Sequence, residues 1–315
     1  MHGWIILDKP LGLGSTSAVS AVKRALREGG YPRLKVGHGG TLDPLASGVL
    51  PVAVGEATKL AGRMLDSDKV YAFTIRFGEQ TDTLDAEGAV IATSAVRPDL
   101  DEIDAVLPRF TGEIEQMPPA FSALKVDGKR AYDLARAGEE VTLKTRAVTV
   151  HSISRHPGLE PGSRFVPTKE DSGFPDQVRD DVEEATLIAH VSKGSYIRSL
   201  ARDIALALGS VGHVTMLRRL KAGPFILDHA ISLDKLAEMA KARALEDISL
   251  PLTAGLDDIP ALPVTPDQAG LLRQGRVLVG IAVDDGTYLA TDTDVPVALV
   301  EAQDREVRVV RGFNL

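Results

Sequence analysis

One carboxylate stands in a loop near the start of the chain where glycine and proline are concentrated. Residues 35–51 include four glycines and two prolines among seventeen residues, so this stretch cannot be a regular helix or strand. Asp43 lies in its middle, and because Pro44 disfavours the helical conformation for the residue before it, Asp43 should be extended or at a turn. Such a carboxylate could act as a nucleophile or a general base. Asp-Pro also initiates ordinary turns, so the loop alone leaves both interpretations open.

Other catalytic chemistries have no signal in the sequence. Cysteine is absent, and the seven histidines show none of the paired spacings typical of metal ligands. No phosphate-binding loop, dinucleotide-binding glycine signature or serine nucleophile elbow occurs. We therefore expect no metal and no cofactor. Asp43 remains as the candidate nucleophile or base, with arginines and tyrosines as candidates to position it.

The distribution of charge allows a nucleic-acid partner, although the net charge of −8 at first argues against one. Residues 157–185 carry a net charge of −5 and residues 246–315 a net charge of −7, so the rest of the chain is positive overall. Residues 191–225 hold six basic side chains and one acidic one. A basic surface is therefore plausible, although a solvated helix face would give the same pattern.

The chain has the features of a cytoplasmic protein. Its N-terminus lacks the basic region and cleavage site of a signal peptide, and its apolar runs are too short for a membrane-spanning helix. The absence of cysteine suits a reducing compartment.

Hydrophobic periodicity predicts strands and helices along most of the chain. Apolar residues alternate over 69–77, which is typical of a strand, and recur at helical spacing over 197–208. Ser15 opens a run of residues that favour a helix N-cap, and Asp127-Gly128 predicts a hairpin turn. Strands are predicted at 3–9, 47–54, 69–77, 89–92, 146–153, 185–191 and 213–220, and helices at 18–26, 56–65, 100–110, 132–138, 193–208 and 232–245.

Two domains are predicted from a change in composition near residue 250. Residues 1–248 hold the long periodic segments, whereas 249–315 contain short strands separated by turn residues. Residues 157–184 have prolines, glycines and an acidic excess without any period, so we interpret them as an exposed loop or insertion.

Several motifs occur in an order that resembles one known family. Residues 37–51 resemble the signature of the TruB family, the bacterial tRNA pseudouridine-55 synthases. Further stretches similar to that family's motifs stand at 7–12, 66–71, 80–88, 117–125, 192–198, 217–220 and 311–315. The resemblance covers roughly residues 3–225 and the final residues of the chain.

The resemblance implies a cofactor-free isomerisation of uridine to pseudouridine in the T-loop of tRNA, with base flipping. Asp43 would be the catalytic aspartate, attacking either C1′ of the ribose or C6 of the uracil. Arg198 would pair with Asp43, and Tyr71 would stack on the flipped base. Without the resemblance, Tyr71 would be ordinary core and Arg198 a solvated helix residue.

Four further residues would contact or support the substrate. Lys9 would support the loop of the first motif, and His38 would fill the gap left by the flipped base. Leu217 would line the base pocket, with Tyr196 near it. By itself, His38 in a glycine-rich loop could equally well bond to a backbone carbonyl.

The expected fold is α+β: a catalytic domain on a mixed, largely antiparallel sheet, followed by a C-terminal β-rich domain resembling a PUA module. The expected partner is tRNA, with no obligate protein partner and a monomeric chain. Three alternatives stay open: a non-catalytic tRNA-elbow chaperone, an aspartate-dependent hydrolase of small substrates, and an rRNA-directed synthase of the same superfamily.

Overall fold

The computed structural model describes residues 1–122, 124–126, 129–132, 143–156 and 182–315. These residues form two compact units. The first unit comprises Met1–Leu42, Gly48–Leu65 and Ala222–Leu315, and the second comprises Asp43–Ser47 and Asp66–Lys221. The loop Asp127-Gly128, most of the helix predicted at 132–138 and nearly all of the acidic segment 157–184 lie outside the described residues.

The strands of the described chain are short to medium in length. They are β1 Gly3–Lys9, β2 Val36–His38, β3 Ala46–Val54, β4 Lys69–Phe77, β5 Glu79–Thr81, β6 Val90–Thr93, β7 Gly112–Gln116, β8 Lys125–Val126, β9 Lys129–Arg130, β10 Arg146–Arg155, β11 Glu184–Val191, β12 Gly212–Ala222, β13 Phe225–Ile226, β14 Leu250–Pro251, β15 Ala261–Pro263, β16 Leu278–Val279, β17 Gly286–Asp292, β18 Val295–Gln303 and β19 Glu306–Gly312.

Among the described residues the helices are fewer than the strands, and several continue into or follow 3-10 turns. The α-helices are α1 Ser15–Glu28, α2 Ala61–Asp66, α3 Leu100–Val106, α4 Ile197–Ala207, α5 Leu233–Ala242 and α6 Pro266–Arg273. The 3-10 helices are Gly55–Leu60, Leu107–Phe110, Leu227–His229, Leu245–Ile248 and Leu252–Gly255.

A largely antiparallel sheet with strand order β12-β4-β11-β10-β7 forms the second unit. Phe73 and Ile75 of β4 and Leu187 of β11 are fully buried, and α4 adds Leu200 and Ile204 to the same cluster. The period of two in β4 and the helical period in α4 bring these apolar faces together. Each such side chain contributes about 1.5–3 kcal/mol by leaving water.

The first unit has its own core. Strand β1 pairs antiparallel with both β14 and β3, and β3 also pairs with β2. Trp4 and Phe225 pack with their ring centroids 5.2 Å apart in the core beside β1. Helices α1 and α5 pack together and against β1.

The C-terminal part of the first unit contains a separate five-stranded sheet. Its order is β15-β17-β18-β19-β16, with β15 parallel to β17 and the remaining pairs antiparallel. Helix α6 closes one side of its core with Ala269 and Leu272. The expectations of an α+β fold, a largely antiparallel sheet and a β-rich C-terminal region are confirmed.

The compact units are divided differently from the predicted domains, because chain segments 1–42 and 48–65 share a unit with 222–315. The boundary at 248/249 stays a prediction. Within the described residues, no helix has both the length and the apolar character needed to span a membrane.

Candidate active site

Asp43 is paired with a buried arginine. Arg198 Nη2 lies 2.9 Å from Asp43 Oδ2. The arginine side chain is only 7% exposed, whereas the aspartate side chain is 45% exposed. The Asp43 carboxylate is therefore accessible to a substrate, whereas the Arg198 guanidinium that contacts it is buried. A charge-assisted contact of this length limits the orientations of the carboxylate.

Four acceptors hold the Arg198 guanidinium in place. Nη1 donates to the Thr83 carbonyl at 2.8 Å and lies 3.2 Å from Asp85 Oδ2, while Nη2 donates to the Phe121 carbonyl at 3.0 Å. Asp43 is the fourth acceptor. The planar guanidinium directs its N–H groups toward two carboxylates in one fixed geometry, whereas an ammonium group is a point charge without such a fork. The direction from which Arg198 approaches Asp43 is thus set by the surrounding backbone.

A cation in the first turn of α4 is unfavourable by itself, because the N-terminal end of a helix is the positive end of its dipole. Asp43 and Asp85 supply two negative charges there and offset this cost. Burial of Arg198 would also be costly without such partners. The two carboxylates explain why the arginine is stable at this position.

Asp85 belongs to a tightly bonded turn. Its Oδ1 accepts from Thr83 Oγ1 at 2.6 Å and from the Glu87 amide at 3.1 Å, and the Thr81 hydroxyl donates to its carbonyl at 2.6 Å. Leu84, between Thr83 and Asp85, is buried with φ of 62°, a left-handed conformation that costs a residue with a side chain about 1–3 kcal/mol. The strained residue lies between the two groups of the turn that contact Arg198, the Thr83 carbonyl and the Asp85 carboxylate.

The segment preceding Ser122 is bonded to the start of α4. Gln116 Oε1 accepts from the Tyr196 amide at 2.7 Å, and the Ser199 hydroxyl donates to the Met117 carbonyl at 2.8 Å. Tyr196, the N-cap residue, makes no side-chain cap of its own, so Gln116 satisfies one of the free amides of the first turn. These bonds fix the turn that carries Arg198.

Tyr196 belongs to the same site. Burial raises the pKa of its phenol, and the charge of Asp43 adds to that shift, whereas Arg146 and Arg198 oppose it. The Arg146 guanidinium lies 5.9 Å from the centre of the tyrosine ring. Asp43, Arg198 and Tyr196 are therefore brought together by the fold.

Tyr71 and Leu217 lie at the edge of the apolar core of the second unit. Both are partly buried and packed against it, and Tyr71 of β4 stands opposite Ala189 of β11. These positions leave part of each side chain accessible. Their roles toward a base stay predictions.

Lys9 and His38 lie in the first unit and bind their own loops. The Lys9 side chain is fully buried, and its Nζ donates to the carbonyls of Leu13 at 2.6 Å and Pro10 at 3.0 Å. These two hydrogen bonds are what we expect of a residue that supports the loop of the first motif. His38 Nδ1 accepts from the Gly40 amide at 3.4 Å, a bond within its own loop.

The expectation that Ser15 begins a capping run is wrong. Gly14 is the N-cap of α1 and makes no side-chain bond. Ser15 Oγ instead donates to the Leu42 carbonyl at 2.9 Å and accepts from the Leu42 amide at 2.8 Å. The residue directly before Asp43 is thus held through both of its polar backbone groups.

One glycine of the loop is required by packing. A Cβ at Gly39 would lie 2.5 Å from Met64 Cβ, well inside the contact distance of two carbons. Gly39 therefore lets the loop pass over the side chain of α2.

Thr83, Asp85 and Phe121 are site residues that our sequence analysis missed. Thr83 and Asp85 lie inside the motif at 80–88, so the motif was the available signal, although nothing in it indicates contact with Arg198. Phe121 contributes a backbone carbonyl, which any residue could supply.

Lys69, at the start of β4, should make the free energy of unfolding depend measurably on pH. Burial lowers the pKa of Lys69 from 10.5 to about 8, and the neighbouring Arg219 cation adds to the shift. Between those values the unfolded chain binds more protons than the folded one, so the free energy of unfolding should rise with pH. The rise is at most about 3 kcal/mol, at about 1.4 kcal/mol per pKa unit.

Urea unfolding at several pH values across this window would measure the rise. The variant Lys69→Met should lose it, whereas Lys235→Met, at an exposed lysine paired with Glu238, should keep it. Equal pH slopes in the wild type and Lys69→Met would contradict the prediction.

Comparison with known proteins gives matches along the whole chain. The family model described as "TruB family pseudouridylate synthase (N terminal domain)" matches residues 23–169, and "tRNA pseudouridylate synthase B C-terminal domain" matches residues 198–257. A tRNA pseudouridine synthase B from Novosphingobium aromaticivorans is 60% identical over 315 residues, covering 100% of this chain and 98% of that protein. One from Zymomonas mobilis is 59% identical over 314 residues, covering 100% and 96%.

Solved structures share the fold. A chain from an H/ACA RNP bound to a substrate RNA containing 2′-deoxyuridine aligns with a TM-score of 0.68 and 24% identity, covering 99% of this chain and 85% of that one. The sequence matches define a pseudouridine synthase, an isomerase. The chain belongs to the TruB family of pseudouridylate synthases.

Proposed function

We propose that this enzyme converts uridine to pseudouridine at position 55 in the T-loop of tRNA. The observation that carries the proposal is the half-exposed Asp43 carboxylate, 2.9 Å from the buried guanidinium of Arg198. The relatives called tRNA pseudouridine synthase B, close to 60% identical over the full chain, support tRNA as the substrate.

Asp43 acts as the nucleophile. In one route its carboxylate attacks the ribose C1′ and the N1–C1′ bond breaks, and in the other it attacks the uracil C6 before that bond breaks. The uracil turns, the C5–C1′ bond forms, Asp43 is released, and C5 loses its proton while N1 gains one. The product is an isomer of the substrate, so the reaction consumes no cofactor or co-substrate. Covalent catalysis by a carboxylate suits a glycosyl or base adduct that must form and then decompose.

Arg198 holds the Asp43 carboxylate in one orientation while the adduct forms. Its four acceptors fix the guanidinium before the substrate arrives, so little reorganisation is needed during the reaction. Tyr196 borders this pair, and its phenol is biased toward the neutral form that can donate a hydrogen bond.

The target base must leave the RNA stack to reach Asp43, at a cost of a few kcal/mol. Tyr71 stacks on the flipped uracil, Leu217 borders the base pocket, and His38 occupies the gap left in the RNA. Lys9 supports the loop of the first motif through its bonds to two carbonyls. Partial exposure of Tyr71 and Leu217 beside the core leaves surface for a base.

The expected setting is the cytoplasm, with tRNA as the partner and the chain acting as a monomer without an obligate protein partner. We also propose that residues 249–315 form a PUA-like domain that contacts tRNA. We expect this domain to contact few tRNA phosphates, because Arg308 is paired with Glu306 and Arg273 lies 3.9 Å from Asp292. A full tRNA should then bind only modestly better than a T-stem-loop minihelix.

The test is tritium release from tRNA labelled at C5 of uridine. Unmodified tRNA should release one tritium per molecule, and a transcript with cytidine at position 55 should release none. Release that persists without uridine 55 would overturn the assigned site. Release from rRNA fragments but not from tRNA would favour the rRNA-directed alternative, and binding without release would favour the chaperone.

A further inference from the structure

Two histidines and one aspartate meet at the sheet of the second unit, apart from the residues assigned to the reaction. Asp68 directly precedes β4, His151 lies on β10 and His190 on β11. One ligand atom from each residue lies within 4.8 Å of the other two. The histidine rings are 4.6 Å apart between centroids. Their separation in sequence explains why the histidine spacing predicted no such site.

An irregularity of the sheet brings His151 into the cluster. In the pairing of β10 with β11, Val150 stands opposite Val191 and Ser152 opposite His190, so His151 is an extra residue at a register shift. A β-bulge of this kind re-aims a side chain that regular alternation would place differently. Here it puts the His151 ring beside that of His190.

The distances match those of a small metal ion. Asp68 Oδ2 is 3.1 Å from His151 Nε2 and 3.8 Å from His190 Nε2. Zinc bonds of about 2.0–2.2 Å to nitrogen and oxygen in a tetrahedron separate neighbouring ligand atoms by about 3.4 Å. The two observed distances lie on either side of that value. Side-chain rotations that move the ligand atoms by a few tenths of an ångström would therefore bring these distances to it.

We propose that Asp68, His151 and His190 form a binding site for a divalent transition-metal ion, with Zn²⁺ as the best fit, and with one position open to water. Two imidazoles and a carboxylate suit ions of this class. The side chains are 38%, 38% and 47% exposed for His151, His190 and Asp68, so an ion can enter and the fourth position faces solvent. The site does not depend on the proposed tRNA specificity.

The surrounding charges set the strength of the site. Lys69 follows Asp68 in the chain, and the charge of Lys221 acts on His190. These cations oppose a bound metal ion, so we expect weaker binding than at a structural zinc site with four protein ligands. A bound ion would join β4, β10 and β11 at one place and should raise the melting temperature.

Titration of the full-length, untagged protein with Co²⁺ tests the proposal, because tetrahedral Co²⁺ gives intense visible absorption bands that report its ligands. We expect one ion per chain, displaced by Zn²⁺, and a rise in melting temperature with either ion. His151→Ala and His190→Ala should each weaken binding tenfold or more, and the double variant should abolish the bands. The control His229→Ala, at an exposed histidine of the first unit, should bind as the wild type does.

Two results would overturn the proposal. If Co²⁺ gives no bands and Zn²⁺ leaves the melting temperature unchanged, the three residues form only a histidine–aspartate ion pair. If the double variant binds Co²⁺ with wild-type affinity, the ion is held elsewhere. Because all three side chains are partly exposed, we expect the variants to fold. Circular dichroism of each variant checks that a lost band does not reflect unfolding.

Discussion

Replacing Asp43 with asparagine should reduce pseudouridine formation by at least about 10⁴-fold, because a carboxamide of the same shape lacks a nucleophilic carboxylate. The amide oxygen can still accept from Arg198, so the site should keep its geometry. Asp43 is 45% exposed and Asp85 still pairs with Arg198 in this variant, so the free energy of unfolding should fall by less than it does when the arginine itself is removed. Single-turnover tritium release, measured with enzyme in excess over labelled tRNA, separates the loss of chemistry from a loss of binding.

The matched control is Asp66→Asn. Asp66 is an exposed carboxylate of the same unit and pairs with Lys193, itself exposed, at 3.0 Å. This variant should retain wild-type release, and Asp43→Asn should retain wild-type affinity for tRNA in a filter-binding assay. Full activity of Asp43→Asn would remove the nucleophile from the mechanism, whereas a loss of affinity alone would make Asp43 a binding residue.

Replacing Arg198 with lysine should lower kcat by about 100-fold or more while leaving the affinity for tRNA nearly unchanged. A lysine keeps the positive charge but has one ammonium group, which cannot hold Asp43, Asp85 and two carbonyls from one position. The ammonium should move toward one carboxylate and leave the other without a partner. Misalignment of the nucleophile then slows its attack without weakening RNA contacts elsewhere.

The variant Arg198→Met separates stability from catalysis. It removes the cation that pairs with both Asp43 and the 11%-exposed Asp85, and breaking a buried pair in this way costs about 3–5 kcal/mol of unfolding free energy. Arg198→Lys should lose much less. The control is Arg76→Lys, because Arg76 is an exposed residue of β4 that lies 3.8 Å from Glu184. Wild-type kcat in Arg198→Lys would show that a charge near Asp43 suffices without the fork.

Family resemblance, rather than spacing, predicts roles for Arg198 and Tyr196. Local patterns predicted β4 and α4 well, because apolar residues at period two or at helical spacing reflect which side of an element is buried. The same patterns gave Tyr71 and Arg198 ordinary core or surface interpretations. Short strands such as β5 and β7, and helix α6, were missed because so few residues carry little periodicity.

The sequence by itself determined the longer strands and helices, such as β4 and α4, and that one aspartate stands on a constrained loop before Pro44. The tertiary structure decided that the guanidinium of Arg198 meets that aspartate, and that the Thr83–Asp85 turn and the Phe121 carbonyl hold the guanidinium there. It also decided that Ser15 holds the Leu42 peptide instead of capping its helix. Periodicity records the burial of each element one at a time, whereas contacts between residues far apart in the chain depend on the register and packing of several elements together.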